Sequence, residues 1–135
     1  MTLKDIIESN SCELIKINHS GKILDAIKLM KEKNVSGIFV VNEEDKLVSI
    51  FTERDIVNCV YHNISFDEIL ENIVRKDITV FDPFTPLSTA ISIAVRKKIR
   101  HLPVVDNDKI VGMVTFRDLV THLLPEICYI AETMY

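Results

Sequence analysis

The strongest constraint on this chain is a repeat. Phe51-Thr52-Glu53-Arg54-Asp55-Ile56-Val57 returns as Val114-Thr115-Phe116-Arg117-Asp118-Leu119-Val120, with Thr, Arg, Asp and the last Val in the same places. Each copy follows an apolar run that reads as a strand and opens a run that reads as a helix. At an offset of 64 residues, Ala26, Ile27, Lys33 and Val40-Val41 meet Ala90, Ile91, Lys97 and Val104-Val105. One extra residue in the first hairpin turn then changes the offset to 63. Asp45-Lys46, Val48, Thr52, Arg54-Asp55 and Val57 meet Asp108-Lys109, Val111, Thr115, Arg117-Asp118 and Val120. A match of this length is a tandem duplication of one strand–helix–strand–strand–helix unit.

The elements follow from periodicity and punctuation. Thr2 caps a helix running to about Glu8, and Leu14 to Ile17 read as a short strand. Ile23, Ala26, Ile27 and Met30 share one helical face, Asn34 to Gly37 stop that helix, and Ile38 to Val41 with Leu47 to Phe51 form a hairpin. Ser65-Phe66-Asp67-Glu68 has the pattern of a capping box and predicts a helix to about Val74, bridging the halves. The second copy then runs through a strand at Ile78 to Phe81, Pro86 at a helix start, and the apolar face Leu87, Ala90, Ile91 and Ala94. Its hairpin is Leu102 to Val105 with Ile110 to Val114, and Pro103, lacking a donor, belongs at a strand start or edge. These boundaries divide the chain into repeat 1 with its N-terminal helix (1–64), repeat 2 with the bridge (65–124) and a tail (125–135). In the tail, Ile127, Ile130, Ala131 and Met134 predict a short amphipathic helix that packs on its own domain, with a subunit interface as the alternative.

Composition narrows the function classes. Apolar residues make up 47% of the 135, enough for a buried core, and the net charge of −4 gives no general field for a nucleic-acid backbone. A small basic cluster of Arg54, Arg96, Lys97, Lys98 and Arg100 is the one feature in favour of nucleic acid. No run is long enough to span a membrane and the N-terminus lacks the pattern of a signal peptide, so a cytoplasmic location is expected. Cys12, Cys59 and Cys128 are odd in number and widely spaced, which argues for reduced thiols and no metal site. No phosphate-binding loop or nucleophile–base pair is present, and catalysis is not expected.

On these residues the chain resembles a tandem pair of cystathionine β-synthase (CBS) domains, the Bateman module. The resemblance is carried by Arg100-His101-Leu102-Pro103-Val104-Val105-Asp106, Ile110 to Leu119, Ile38 to Val41 and Leu47 to Val57, and it covers about Leu3 to Leu124. It implies an α/β (α+β) fold in which two repeats pack through their sheets with pseudo-two-fold symmetry. It further implies a non-catalytic, stand-alone sensor that binds adenosine compounds in clefts between the repeats and signals to a regulated protein. AMP, ADP or ATP would be the ligand, with S-adenosylmethionine or NAD as other candidates, and the working form would be a homodimer of four CBS units. A structural dimerisation module with empty clefts is the competing expectation.

The repeated Thr and Asp first explain themselves as helix caps worth about 1 kcal/mol each. Helix N-termini also attract phosphate, and a carboxylate can hold two hydroxyls at once. The resemblance assigns the ribose to the Asp. If the halves cross over as the resemblance implies, one cleft groups Thr52, Arg54 and Asp55 with Ile78, Thr79, Val80, Ile99, Arg100, His101 and Pro103. The other groups Thr115, Arg117 and Asp118 with Ile15, Lys16, Ile17, Val35, Ser36 and Gly37. The clefts are therefore expected to differ, the first being the more cationic.

Overall fold

The computed structural model describes residues 1–10 and 13–124. The expected C-terminal helix, Cys12 and Cys128 lie outside the described residues. In order, the chain forms α1 (Leu3–Asn10), β1 (Lys16–Asn18), α2 (Ile23–Lys33), β2 (Gly37–Val41), β3 (Leu47–Thr52), α3 (Glu53–Tyr61), a 3-10 turn (Leu70–Asn72), α4 (Leu87–Lys97), β4 (His101–Asp106) and β5 (Lys109–Thr115). Residues 116–124 are helical and are called α5.

Two compact units result. The first holds residues 13–79 and 107–110, and the second holds 1–10, 80–106 and 111–124. In the first unit, β2 pairs in parallel with β1 and antiparallel with β3, and the register shifts at Val40/Val41. Its core is Ile23, Ala26, Met30, Ile38, Val40, Phe51, Cys59, Leu70 and Val74. In the second unit, β4 and β5 pair, and the core is Leu3, Ile6, Phe81, Leu87, Ala90, Ala94, Leu102, Val104, Val114 and Leu119. Both helices that cross to the hairpin end in a left-handed residue, Asn34 (φ 54°) and Lys98 (φ 56°), at positions related by the repeat. Such a residue lets the chain reverse while its amide caps the last turn.

The segment 65–74 departs from expectation: it holds a turn and a 3-10 piece in place of an α-helix. The Glu68 carboxylate bonds forward to the Ile69 amide (2.8 Å) and to Asn72 Nδ2 (2.9 Å), so it does not reach back to Ser65. The backbone is committed elsewhere. Leu70 N–H donates to Gly21 O and Glu71 N–H to His19 O, while Ile23 N–H donates to Glu68 O. Tertiary hydrogen bonds have overridden a local helix signal.

The N-terminal segment is seated on the second unit by the same bonds. Leu3 N–H donates to Thr85 O, Lys4 N–H to Pro83 O and Leu87 N–H to Met1 O. The bridges Thr2–Pro86 and Lys22–Ile69 complete the parallel. Residues 2–8 are thus the structural counterpart of 69–75, at an offset of 67, with Leu3, Ile6 and Ile7 answering Leu70, Ile73 and Val74. Residues 1–10 sit with the strands of the repeat that lies far from them in sequence.

A second departure concerns the strand expected at Ile78 to Phe81, which is reduced to one parallel bridge between Phe81 and Val104. The repeat explains the loss. In the first copy Phe39 N–H donates to Ile15 O at 3.0 Å, extending the β1 ladder. Pro103 stands at the position of Phe39 and has no N–H, so the equivalent bond cannot form. What remains is Phe81 N–H to Pro103 O and Val105 N–H to Phe81 O, both 2.9 Å.

Packing has also diverged in a matched way. A Cβ on Gly112 would lie 3.2 Å from the Ile7 side chain, whereas the repeat-related positions hold Ser49 and the smaller Val74. Gly112→Ser is expected to cost about 1–3 kcal/mol through overpacking, and adding Ile7→Val should recover at least half of it. Urea unfolding of the single and double variants checks this. Strictly additive effects would show that the two sites are not paired.

Candidate functional site

Each Thr-x-x-Asp motif sits where a strand passes into a helix with no loop between. β3 ends at Thr52 and α3 begins at Glu53; β5 ends at Thr115 and the helical stretch begins at 116. The extended backbone at Thr52 (φ −128°, ψ 172°) turns its side chain back over the first helical turn, where it forms a capping box with Asp55. Asp55 Oδ2 accepts from the Thr52 amide (2.8 Å) and from the Thr52 hydroxyl (3.1 Å). In the second copy Asp118 Oδ2 accepts from the Thr115 amide (2.8 Å), and Thr115 Oγ1 accepts from the Asp118 amide (3.1 Å). Both carboxylates are therefore fixed in direction by the helix start itself.

The loops before β2 and β4 are tied to these caps. Glu53 N–H donates to Ser36 O (3.1 Å), and Phe116 N–H donates to Arg100 O (2.8 Å). So Val35-Ser36-Gly37 lies beside the Asp55 cap in the first unit, and Ile99-Arg100-His101 lies beside the Asp118 cap in the second. Each set of residues named from the sequence draws on both units. Within the first unit the structure brings Thr52, Arg54 and Asp55 together with Ser36 and Gly37. Within the second it brings Thr115, Arg117 and Asp118 together with Arg100 and His101.

The remaining candidates have definite places. Ile15 and Ile17 pack on the first core and Ile99 on the second. Lys16 Nζ is engaged with Asp45 Oδ2 at 2.8 Å, so its ammonium is spent at the hairpin turn. Arg54, Arg100 and Arg117 are exposed, as is Val80, and Pro103 is buried. Ile78 and Thr79 are half-buried.

One residue escaped the sequence reading. Arg75 places a guanidinium nitrogen 3.4 Å from Asp55 Oδ2, with the Arg side chain 41% and the Asp side chain 14% exposed. No periodicity links positions twenty apart, and position 75 has the appearance of an ordinary polar turn residue. The available signal was the weaker alignment of 69–75 with 2–8. Near the same carboxylate, the buried Cys59 thiol is pushed above its ordinary pKa by burial, with the Asp55 charge adding to it. Its nucleophilicity is suppressed accordingly. Among the described residues no cluster of metal-ligating side chains is found, and no helix is long and apolar enough to cross a membrane.

Two copies of a small α/β unit, each with a strand-to-helix carboxylate cap, define a duplicated module. The chain belongs to the CBS-domain family: the family's model matches residues 2–62 and again 70–125. It is 31% identical over 118 residues to MJ1225 of Methanocaldococcus jannaschii, covering 87% of this chain and 41% of that protein. It is 36% identical over 103 residues to a 17.7 kDa protein of Acidianus ambivalens, covering 76% and 62% respectively. The chain thus spans less than two thirds of the length of these relatives. Among solved structures, a signal-transduction protein with CBS domains from Burkholderia ambifaria superposes with a TM-score of 0.85 at 26% identity, covering 93% of this chain and 95% of that one. The CBS domain pair of MJ0100, in complex with 5′-methylthioadenosine and S-adenosyl-L-methionine, does so with a TM-score of 0.80 at 27% identity, covering 93% and 97%.

Proposed function

We propose that this CBS pair binds an adenosine-type ligand at its Thr-x-x-Asp caps and reports occupancy to a partner protein. The observation that carries the proposal is the pair of pre-oriented carboxylates, Asp55 and Asp118, each held by its Thr at a helix start. A carboxylate fixed in this way accepts two vicinal hydroxyls without further ordering, which suits a ribose. The other residues named from the sequence are the further contributors, Arg100 and His101 toward phosphate, and Ile15, Ile17, Ile78 and Val80 toward the base. The MJ0100 complex supports the ligand class. AMP, ADP, ATP, S-adenosylmethionine and NAD are the candidates. The work is done without catalysis and in the cytoplasm. The chain also matches the inosine-5′-monophosphate dehydrogenase of Nitrosopumilus maritimus, at 27% identity over 26% of that enzyme, so a partner in the same polypeptide or a separate one fits equally.

Calorimetric titration tests the proposal. The double variant Arg100→Ala, Asp55→Ala is expected to weaken nucleotide binding at least about tenfold, since each lost charge-assisted bond is worth about 1.5–3 kcal/mol. Undiminished affinity would sink the assignment.

A second reading, a dimerisation module without a small ligand, is favoured by one observation. α3 exposes Val57 (65%), Val60 (60%) and Tyr61 (79%), and the repeat-related Val120 and Leu124 are exposed as well. These stripes suit a homodimer of four CBS units in either reading. Thermal shift against the five candidate nucleotides separates the two. A bound ligand at a hundred times its Kd stabilises by about 2.7 kcal/mol, and no shift with any of them favours the structural role.

A further inference from the structure

We infer that Arg75 makes the Asp55 cap selective for adenosine ligands that carry an anionic group, and that Glu8 is its opposite number at the Asp118 cap. The inference rests on the adenosine-type function proposed above and assigns the selectivity of its two carboxylates. Segments 2–8 and 69–75 dock on their units through equivalent hydrogen bonds, from Leu3 and Lys4 to Thr85 and Pro83, and from Leu70 and Glu71 to Gly21 and His19. At the offset of 67 that these bonds set, Arg75 corresponds to Glu8. One position in a duplicated frame has thus taken opposite charges.

The geometry at Asp55 gives the positive charge a use. Arg75 approaches end-on, through one nitrogen to Oδ2 at 3.4 Å, an atom that already accepts twice from Thr52. That leaves Oδ1 outside these bonds, and the single Arg75 contact engages one nitrogen of a guanidinium that carries five donors. Hydroxyls can enter at Oδ1 while the half-exposed guanidinium takes a phosphate, so a single carboxylate–guanidinium pair reads both the ribose and the phosphate of a nucleotide. In the second unit the end of α1 abuts the helix of Asp118. Ser9 Oγ lies 3.3 Å from His122 Nε2, and His122 Nδ1 lies 2.9 Å from Asp118 O. Glu8, one residue before Ser9, is exposed and pairs with Lys4 along its own helix at 3.8 Å. An acid there puts a negative charge near the helix of Asp118, at the position where the other unit has a cation, and it opposes a phosphate against the pull of Arg100 and Arg117.

The experiment compares AMP with adenosine by calorimetry on the full chain carrying Asp118→Ala, so that the Asp55 cap alone is read. Adding Arg75→Ala is expected to weaken AMP about ten- to hundredfold, the range for losing a hydrogen bond to a charged group. Adenosine should change by less than about threefold, because it carries no anionic group, and Arg75→Lys, which keeps a point charge able to bind phosphate, should keep part of the preference. Parallel weakening of AMP and adenosine, or an AMP-to-adenosine ratio unmoved by Arg75→Ala, overturns the inference while leaving the adenosine function standing. Failure of the wild-type chain to bind either probe overturns both together. Arg75 is exposed, and an unchanged melting temperature in Arg75→Gln separates loss of contact from loss of fold.

Discussion

Phe51→Ala is expected to lower the unfolding free energy by about 3–5 kcal/mol, the range for deleting a fully buried aromatic side chain. Phe51 is wholly buried, lies opposite Ile38 in the β2–β3 register and is among the largest side chains of the first core. It also immediately precedes Thr52, so the cavity opens beneath the capping box. The repeat supplies a control, because Val114 occupies the same place in the second unit and is equally buried. Val114→Ala removes two methyl groups, about 1.6 kcal/mol by transfer before any cavity term. For a chain of this size the Phe51 change should lower Tm by about 10–20 °C. Urea unfolding followed by circular dichroism measures both, and a Phe51→Ala loss below about 1 kcal/mol would contradict the packing described.

Much of the fold was legible because the sequence says it twice. The apolar runs at Ile38–Val41 and Leu102–Val105, and the helix faces at Ala26 and Ala90, reinforced one another, so each reading in one half tested the other. Legibility failed where a segment's backbone bonds are long-range. Ser65 to Glu68 carries a local helix pattern, yet Leu70 and Glu71 spend their amides on Gly21 and His19. No property of a short window reports that. The strand at Ile78 to Phe81 failed for a related reason. Pro103 was read correctly as a residue that lacks a donor, but its consequence falls on the partner strand, some twenty residues away.

The caps were legible, since Thr-x-x-Asp at a strand-to-helix step has a local geometry that four residues determine. Their surroundings were only partly so. The sequence grouped Arg100 and His101 by resemblance, and the structure adds that Arg100 O is bonded to the helix start of its own unit. Arg75 was missed because its role comes from docking, and the docking was hidden in an offset of 67 that differs from the main repeat. Leu3, Ile6 and Ile7 against Leu70, Ile73 and Val74 were the trace of it.

That offset makes the second large prediction. Leu3 and Ile6 are fully buried in the core of the second unit, with Phe81, Leu87, Leu102 and Val104. Each truncation to Ala should cost about 2–5 kcal/mol, and the pair approaches the whole stability of a typical domain, about 5–15 kcal/mol. The loss should be local first. Under native conditions, amide exchange in Leu3→Ala, Ile6→Ala should accelerate at Val104 and Val114, while Val40 and Phe51 keep more of their protection. Leu70→Ala should reverse the pattern, because Leu70 fills the equivalent place in the first core. If Leu3→Ala instead loosens β2 and β3, then α1 is packed on the repeat it precedes and the exchange of segments between units is wrong. If both variants lose less than about 1 kcal/mol, the segments are surface trim, and the charges at Glu8 and Arg75 would have no fixed frame from which to act.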